Sequence, residues 1–303
     1  MNVKSRSSNS IRNIIIGVGS QIIIFLMTFV NRTYFIQTLG IDYLGVSGLY
    51  ANILTILSLA ELGIGNVLIF ALYKPILHKD HDMIASLLKF YQKIYRVVAV
   101  CVLGIGLLVV PFLHLIVQSD IEYNRLILYY FMLLLNSVLS YFIIYKTILL
   151  NADQKNYILK IVTTGMMVLK DIIQIIVLIT TESYAIYIAV LVISTLLTNI
   201  ILSFITSRMY PFINKKDILK IVDTTSIKEN IKSAFIYKIG VVVMNNTDNI
   251  LISVIVGTMF VGLYSNYNLL ITAVSTLIGI LIQGVFSSIG SLNAEDDNNK
   301  SYH

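Results

Sequence analysis

The chain has 303 residues, of which 57% are hydrophobic and 13% charged, and its mean hydropathy is +0.83. Soluble domains carry about 25% charged residues, so this composition excludes a soluble domain and defines an all-α polytopic membrane protein. The formal charge of +6 would suit nucleic acid or an anionic surface, but the basic residues follow the segments between apolar runs, which points to membrane orientation and leaves no nucleic-acid partner.

A bilayer core about 30 Å thick needs about 20 apolar helical residues. Eight stretches meet this, near 13–38, 45–72, 91–117, 125–150, 157–181, 184–207, 233–256 and 261–289. The basic N-terminus has no small-residue cleavage site before the first of them, so it reads as an uncleaved first membrane helix. Of the 22 Lys and Arg, 19 fall in 1–12, 73–96, 145–160, 208–238 and 290–303. Only Arg125 lies in a loop of the opposite side, while Arg32 and Lys170 lie within apolar runs. The positive-inside rule then puts the N-terminus, the 208–232 loop and the tail in the cytoplasm. Trp is absent, so the 19 Tyr supply the interfacial aromatics. Cys101 is the sole cysteine, which excludes a disulfide and a cysteine-based metal site.

Along the chain, the first two runs meet at a short turn, Gly40 to Gly45, and the pattern returns in 248–283 at a constant offset of 217 residues. Gly40 falls on Gly257, Gly45 on Gly262, Tyr50 on Tyr267, Thr55 on Thr272 and Ser58 on Ser275. Asn13, Ile14 and Met27 fall on Asn230, Ile231 and Met244 without a gap. This reads as an internal duplication. The offset spans six membrane segments, an even number, so both copies enter the bilayer in the same direction, as in parallel-repeat transporters. The expected organisation is a six-helix lobe over 1–207, a basic cytoplasmic linker over 208–232, and two helices and a tail of a second lobe over 233–303. In the linker, Lys215, Lys216 and Lys220 interleave with Ile218, Leu219 and Val222, which suits a short amphipathic helix on the inner leaflet or an exposed linker. Ser226 and Glu229 read as a capping box opening the seventh segment.

Five ionisable residues lie deep in the apolar runs, Glu61, Lys170, Asp171 and Asp248 near mid-depth and Arg32 about two turns below the outer end of the first. Together they would cost on the order of 10–15 kcal/mol if they faced lipid, so they face a bundle interior, a partner or water. Arg32 either serves a substrate or snorkels to the interface. Glu61, Asp171 and Asp248 are candidates for a coupling ion or for structural pairing with a cation. Asn31, Gln174, Asn245 and Asn249 can hydrogen-bond a substrate, and the asparagines of the seventh segment can instead join helices. Lys170 and Gln174 are i and i+4 on one helical face, whereas Asp171 is rotated by about 100° and is expected to point to another helix. Gly63, Gly65, Gly104 and Gly106 suit close helix packing. The four His have no ligand spacing. The chain carries no Walker A, HExxH or GxSxG sequence, so neither a cofactor nor an enzyme activity is expected.

The segments "SIRNIII", "TLGIDYLGVSGLYANIL", "SLAELGIGNVLIFALYKPI" and "TDNILISVIVGTMFVGLYSNYNLL" resemble the bacterial polysaccharide flippases of the multidrug/oligosaccharidyl-lipid/polysaccharide exporter superfamily. The resemblance covers nearly the whole chain. It implies twelve to fourteen helices in two lobes around a cavity, so that four or more helices of the second lobe are missing here. It further implies export of an undecaprenyl-diphosphate-linked oligosaccharide across the plasma membrane for capsule or exopolysaccharide synthesis, with a polymerase and glycosyltransferases as partners. Arg32 and Lys170 would then meet the diphosphate, with Asn31, Gln174, Asn245 and Asn249 as further substrate contacts. The acids would bind H⁺ or Na⁺. A drug/cation antiporter of the same superfamily and a non-transporting truncated membrane protein are the rival readings.

Overall fold

The structure, a computed structural model, describes residues 3–58, 64–141, 144–214 and 225–293, and these are almost entirely helical with no strand among them. The helices are α1 (Val3–Leu39), α2 (Ile41–Leu57), α3 (Ile64–Leu77), α4 (His81–Val109), α5 (Leu113–Ile116), α6 (Tyr123–Tyr141), α7 (Ile144–Ala152), α8 (Asn156–Thr181), α9 (Tyr184–Met209), α10 (Thr225–Ile255) and α11 (Thr258–Asn293). Four helical stretches, Arg12–Leu39, His81–Ile116, Asn156–Thr181 and Tyr184–Met209, are long and apolar enough to cross a bilayer. Tyr123–Tyr141 and Tyr145–Ala152, bent by 51° relative to each other, make a fifth if they are one span. The fourth apolar stretch of the sequence is thus not a single straight helix, and within the second the described residues form two shorter apolar helices, Ile41–Leu57 and Val67–Leu77. Glu61 and the basic 215–222 stretch lie outside the described residues.

Local chemistry sets the helix ends. Asp80 caps α4, its carboxylate accepting from the Met83 N–H at 3.0 Å. Pro111 has no N–H to continue the ladder, so α4 tightens into one 3₁₀ turn over Val110–Phe112 before α5. The turns between α1 and α2 and between α10 and α11 each reverse the chain through one glycine, Gly40 at φ 89° and Gly257 at φ 122°. An L side chain rarely adopts either value.

In the packing, α1 lies along α8, α8 and α6 pack on α9, and α2 is held between α10 and α11. The tightest approach is between α2 and α11. A Cβ on Gly45 would lie 2.1 Å from the Thr258 carbonyl oxygen, and one on Gly262 would lie 2.6 Å from the Ile41 carbonyl oxygen. Thr258 is Ile41 plus 217, as Gly262 is Gly45 plus 217, so the contact is reciprocal in the register of the sequence repeat. Beside it, four hydrogen bonds join the end of α5 and the loop after it to the end of α10 and the start of α11. Gln118 N–H donates to Thr258 Oγ1 at 2.9 Å and Thr258 N–H to the Gln118 carbonyl at 3.2 Å. Gln118 Nε2 donates to the Val254 carbonyl at 2.8 Å and Ser253 Oγ to the Ile116 carbonyl at 2.7 Å.

At the other end of the bundle, Asn13 bridges α1 to the α7–α8 turn. It donates to the Gln154 carbonyl at 3.1 Å and accepts from Tyr157 N–H at 2.7 Å. Asp153 there takes Lys155 at 2.6 Å and the Tyr210 phenol at 2.6 Å. Elsewhere the surface is a belt of exposed aliphatic and aromatic side chains, Ile15, Phe70, Val100, Leu108 and Phe204 among them. Water would penalise so continuous an apolar surface; a membrane-embedded protein presents it to lipid.

Candidate functional site

The long α1 carries Asn31 and Arg32 on its inward side, two turns before Gly40. Asn31 is buried, and its amide joins three helices. Nδ2 donates to Asp171 Oδ1 at 2.9 Å and to Gln174 Oε1 at 3.0 Å, both on α8, while Oδ1 accepts from the Tyr187 phenol of α9 at 2.9 Å. Gln174 Nε2 closes the network by donating to the Tyr187 carbonyl at 3.0 Å. Asp171 and Gln174 are i and i+3, so one face of α8 presents both to α1.

Asp171 does point to another helix, as its rotation from Lys170 requires. The two neighbours nevertheless pair, Lys170 Nζ lying 2.9 Å from Asp171 Oδ1. The four-carbon stem of Lys170 reaches around the helix, which spacing rules based on Cβ positions do not capture. The second oxygen, Asp171 Oδ2, is buried with no hydrogen-bond partner among the described residues.

Arg32 turns the other way, to α11. Nη1 donates to the Ser265 carbonyl at 3.0 Å and Nη2 to Ser265 Oγ at 2.5 Å. Its Nε is buried without an acceptor among the described residues. Arg32 therefore does not simply snorkel to an interface: it is held inside the helix packing.

Arg32, Lys170, Asp171, Asn31 and Tyr187 line one cavity of about 180 Å³, with Thr28, Ser47 and the apolar walls Phe35, Leu44 and Met167. Gln174 lies just behind this wall, bonded to Asn31. The cavity thus brings together two cations, one carboxylate, an amide and three hydroxyls in an otherwise apolar bundle. Its two orphaned atoms have opposite needs: Arg32 Nε–H lacks an acceptor, and Asp171 Oδ2 lacks a donor or cation. A buried polar group left so costs about 1–3 kcal/mol, and an anion and a cation would satisfy one each. Among the described residues no group of His, Cys, Asp and Glu could hold a metal ion.

The second-copy candidates stand apart from this cavity. Asn249 is buried in α10, with no partner for Oδ1 among the described residues, and Asp248 is exposed on the same helix. Nothing is described of the Asn245 side chain, and Glu61 lies outside the described residues. Tyr187, Thr28, Ser47 and Ser265 are not distinguished by the sequence alone. Ser265 had a signal, since it stands where Gly48 stands in the first copy.

Comparison of the chain with models of protein families, with curated proteins and with solved structures gave no match.

Proposed function

We propose that the protein moves a polyprenyl-diphosphate-linked oligosaccharide from the inner to the outer leaflet of the plasma membrane by alternating access. In this reading the eight apolar stretches are eight spans. The second is α2 with α3 and the fourth is α6 with α7, and both termini are cytoplasmic. Six spans form one lobe, and α10 and α11 open a second, parallel copy. The polyprenyl tail stays in lipid while the cavity offers the diphosphate a polar route.

One observation carries the reading: Arg32 and Lys170 line the same cavity inside an apolar bundle. Arg binds a diphosphate through its fork of donors and Lys as a point charge. Asn31, Tyr187, Ser47 and Thr28 add groups that match sugar hydroxyls. Asp171, with one oxygen unpartnered, suits H⁺ or Na⁺ as the driving ion. That same oxygen favours the second reading, a cation antiporter, in which Asp171 binds the cargo.

The deciding experiment reconstitutes the chain in proteoliposomes holding a fluorescent polyprenyl-diphosphate-oligosaccharide and follows quenching by an impermeant reductant. Flipping above the rate of protein-free vesicles, lost in Arg32→Gln, is the expected result. An unchanged rate in Arg32→Gln would remove the diphosphate assignment. Cation uptake that depends on Asp171, with no lipid flipping, would select the antiporter.

A further inference from the structure

The contact between Arg32 and Ser265 has a feature that packing does not require. The α2–α11 crossing is reciprocal at Gly45 and Gly262, but the polar link beside it is not. Arg32 plus 217 is Asn249, and Ser265 minus 217 is Gly48. On the mirrored side Gly48 offers no side chain, its carbonyl accepts from Asn52 Nδ2 at 2.7 Å, and Asn249 Oδ1 has no partner among the described residues. The repeat keeps the glycines that let α2 and α11 cross and differs where a cation of α1 reaches α11 beside that crossing.

Ser265 is also oriented. Its hydroxyl donates to the Gly262 carbonyl at 2.9 Å, which leaves an oxygen lone pair for Arg32. Gly262 is the glycine pressed against the Ile41 carbonyl. A continuous path therefore runs from the cavity through Arg32 and Ser265 to the crossing that holds α2 on α11.

We infer that Ser265 is the resting partner of Arg32 and that an anionic diphosphate competes with it for the guanidinium, so that binding loosens the α1–α11 contact beside the α2–α11 crossing. This rests on the diphosphate reading above and assigns Ser265 as a positioning residue for Arg32. The exchange is favourable on charge. Ser265 gives Arg32 two neutral acceptors, whereas a diphosphate gives charged oxygens that can take the guanidinium fork in two parallel bonds and add Coulomb attraction. A guanidinium drawn into the cavity leaves Ser265, and α1 loses both hydrogen bonds by which Arg32 holds α11. The substrate thereby opens its own route on the Gly40–Gly257 side, and an unloaded carrier stays shut there. Ligand-driven opening of this kind needs a ligand that binds the open state better than the closed one, and the competition at Arg32 supplies that difference.

The test uses the full chain in nanodiscs with Cys101→Ala, inorganic pyrophosphate as probe, and spin labels at Gln37 and Val256 beside the two glycine turns. Ser265→Ala removes one of the two acceptors that compete for the guanidinium, and pyrophosphate should bind it at least about tenfold more tightly than the wild type. Ser265→Thr keeps the hydroxyl and should match the wild type; Arg32→Gln should bind none. Pyrophosphate should shift the label pair to longer distances in the wild type, and Ser265→Ala should show part of that shift without it. A variant that merely loosened the fold would not gain affinity. If Ser265→Ala gives no folded protein, Ser265→Cys, which weakens the bond at similar volume, takes its place with the same expected gain. Arg32-dependent binding with equal affinity in Ser265→Ala and wild type would overturn the competition and leave the diphosphate reading standing. No binding to Ser265→Ala, where Arg32 is most free, would overturn both.

Discussion

Tyr50 and Tyr267 hold the same place in the 217-residue register and have opposite surroundings. Tyr50 is fully buried, its phenol donating to the Leu126 carbonyl at 3.0 Å and its ring 5.4 Å from that of Tyr130 in an edge-to-face contact. Tyr267 is 71% exposed. The same residue thus belongs to a packed core in one copy and to an uncovered face in the other. Tyr50→Ala should lower stability by about 3–5 kcal/mol, the range for deleting a buried aromatic. Tyr50→Phe should cost about 1 kcal/mol for the lost hydrogen bond. Tyr267→Ala should shift the melting temperature of this chain little. Thermal unfolding in detergent measures all three, and equal losses at both tyrosines would count against the contrast.

The glycines of the crossing should be intolerant. Alanine at Gly45 or Gly262 sets a methyl against a backbone carbonyl that cannot rotate away, so α2 and α11 must part. Each substitution should abolish monodisperse folded protein or cost more than about 3 kcal/mol, in the range of severe overpacking. Gly17, where an added methyl would meet nothing within 4 Å, is the control. Gly17→Ala should be neutral or stabilising by up to about 1 kcal/mol through helix propensity. Size-exclusion profiles and thermal unfolding of the three variants check this, and a well-folded Gly45→Ala protein would contradict the close crossing.

Much of this frame was legible in the sequence. Runs of about 20 apolar residues marked the long helices, and the ordered glycine matches marked the two turns at Gly40 and Gly257; the crossing at Gly45 and Gly262 was not legible, because Gly45 read as the end of a turn whereas it lies inside α2. Lys170 and Asp171 were legible as expensive groups that must face a bundle interior, a partner or water, and Asn31 and Gln174 as candidate polar contacts. Their network was not, because it depends on how α1, α8 and α9 rotate about their axes, which packing decides. Tyr187 escaped for a related reason: one tyrosine among 19 carries no signal until its helix is placed. The bend between α6 and α7 also has no proline to announce it.

At the opposite end of the bundle, burial and the adjacent Asp153 carboxylate push the Tyr210 phenol up from its ordinary value. A raised value in the folded state means that folding favours the neutral phenol. Its contribution is full below the unfolded value of about 10 and is lost as pH rises through the folded value. Tyr210→Phe should therefore cost about 1–3 kcal/mol near neutral pH, where the bond to a charged acceptor is lost. The difference between wild type and variant should shrink above pH of about 10. A difference that stays constant from neutral to strongly alkaline pH in thermal unfolding would contradict this.

Lys170 and Asp171 are 16% and 3% exposed, so their pairing is a commitment made inside the bundle. Removing one partner of such a pair leaves a buried charge uncompensated, at a cost of about 3–5 kcal/mol. Asp171→Asn does this to Lys170, although the substituted amide oxygen still accepts from Asn31. Lys170→Met does it to Asp171, but Asn31 Nδ2 remains bonded to the carboxylate at 2.9 Å, so the loss should be the smaller of the two. The double variant removes both charges and should recover most of the stability, with a coupling energy above about 1 kcal/mol across the cycle. Stability and flipping should then separate. If Lys170 contributes to diphosphate binding, the double variant folds well and flips lipid slowly, because Arg32 is the one cation left in the cavity wall. If Lys170 serves only to neutralise Asp171, the double variant regains flipping together with stability. Unfolding and lipid flipping measured on the same four preparations distinguish these outcomes, and full flipping by a stable double variant would withdraw Lys170 from the diphosphate site.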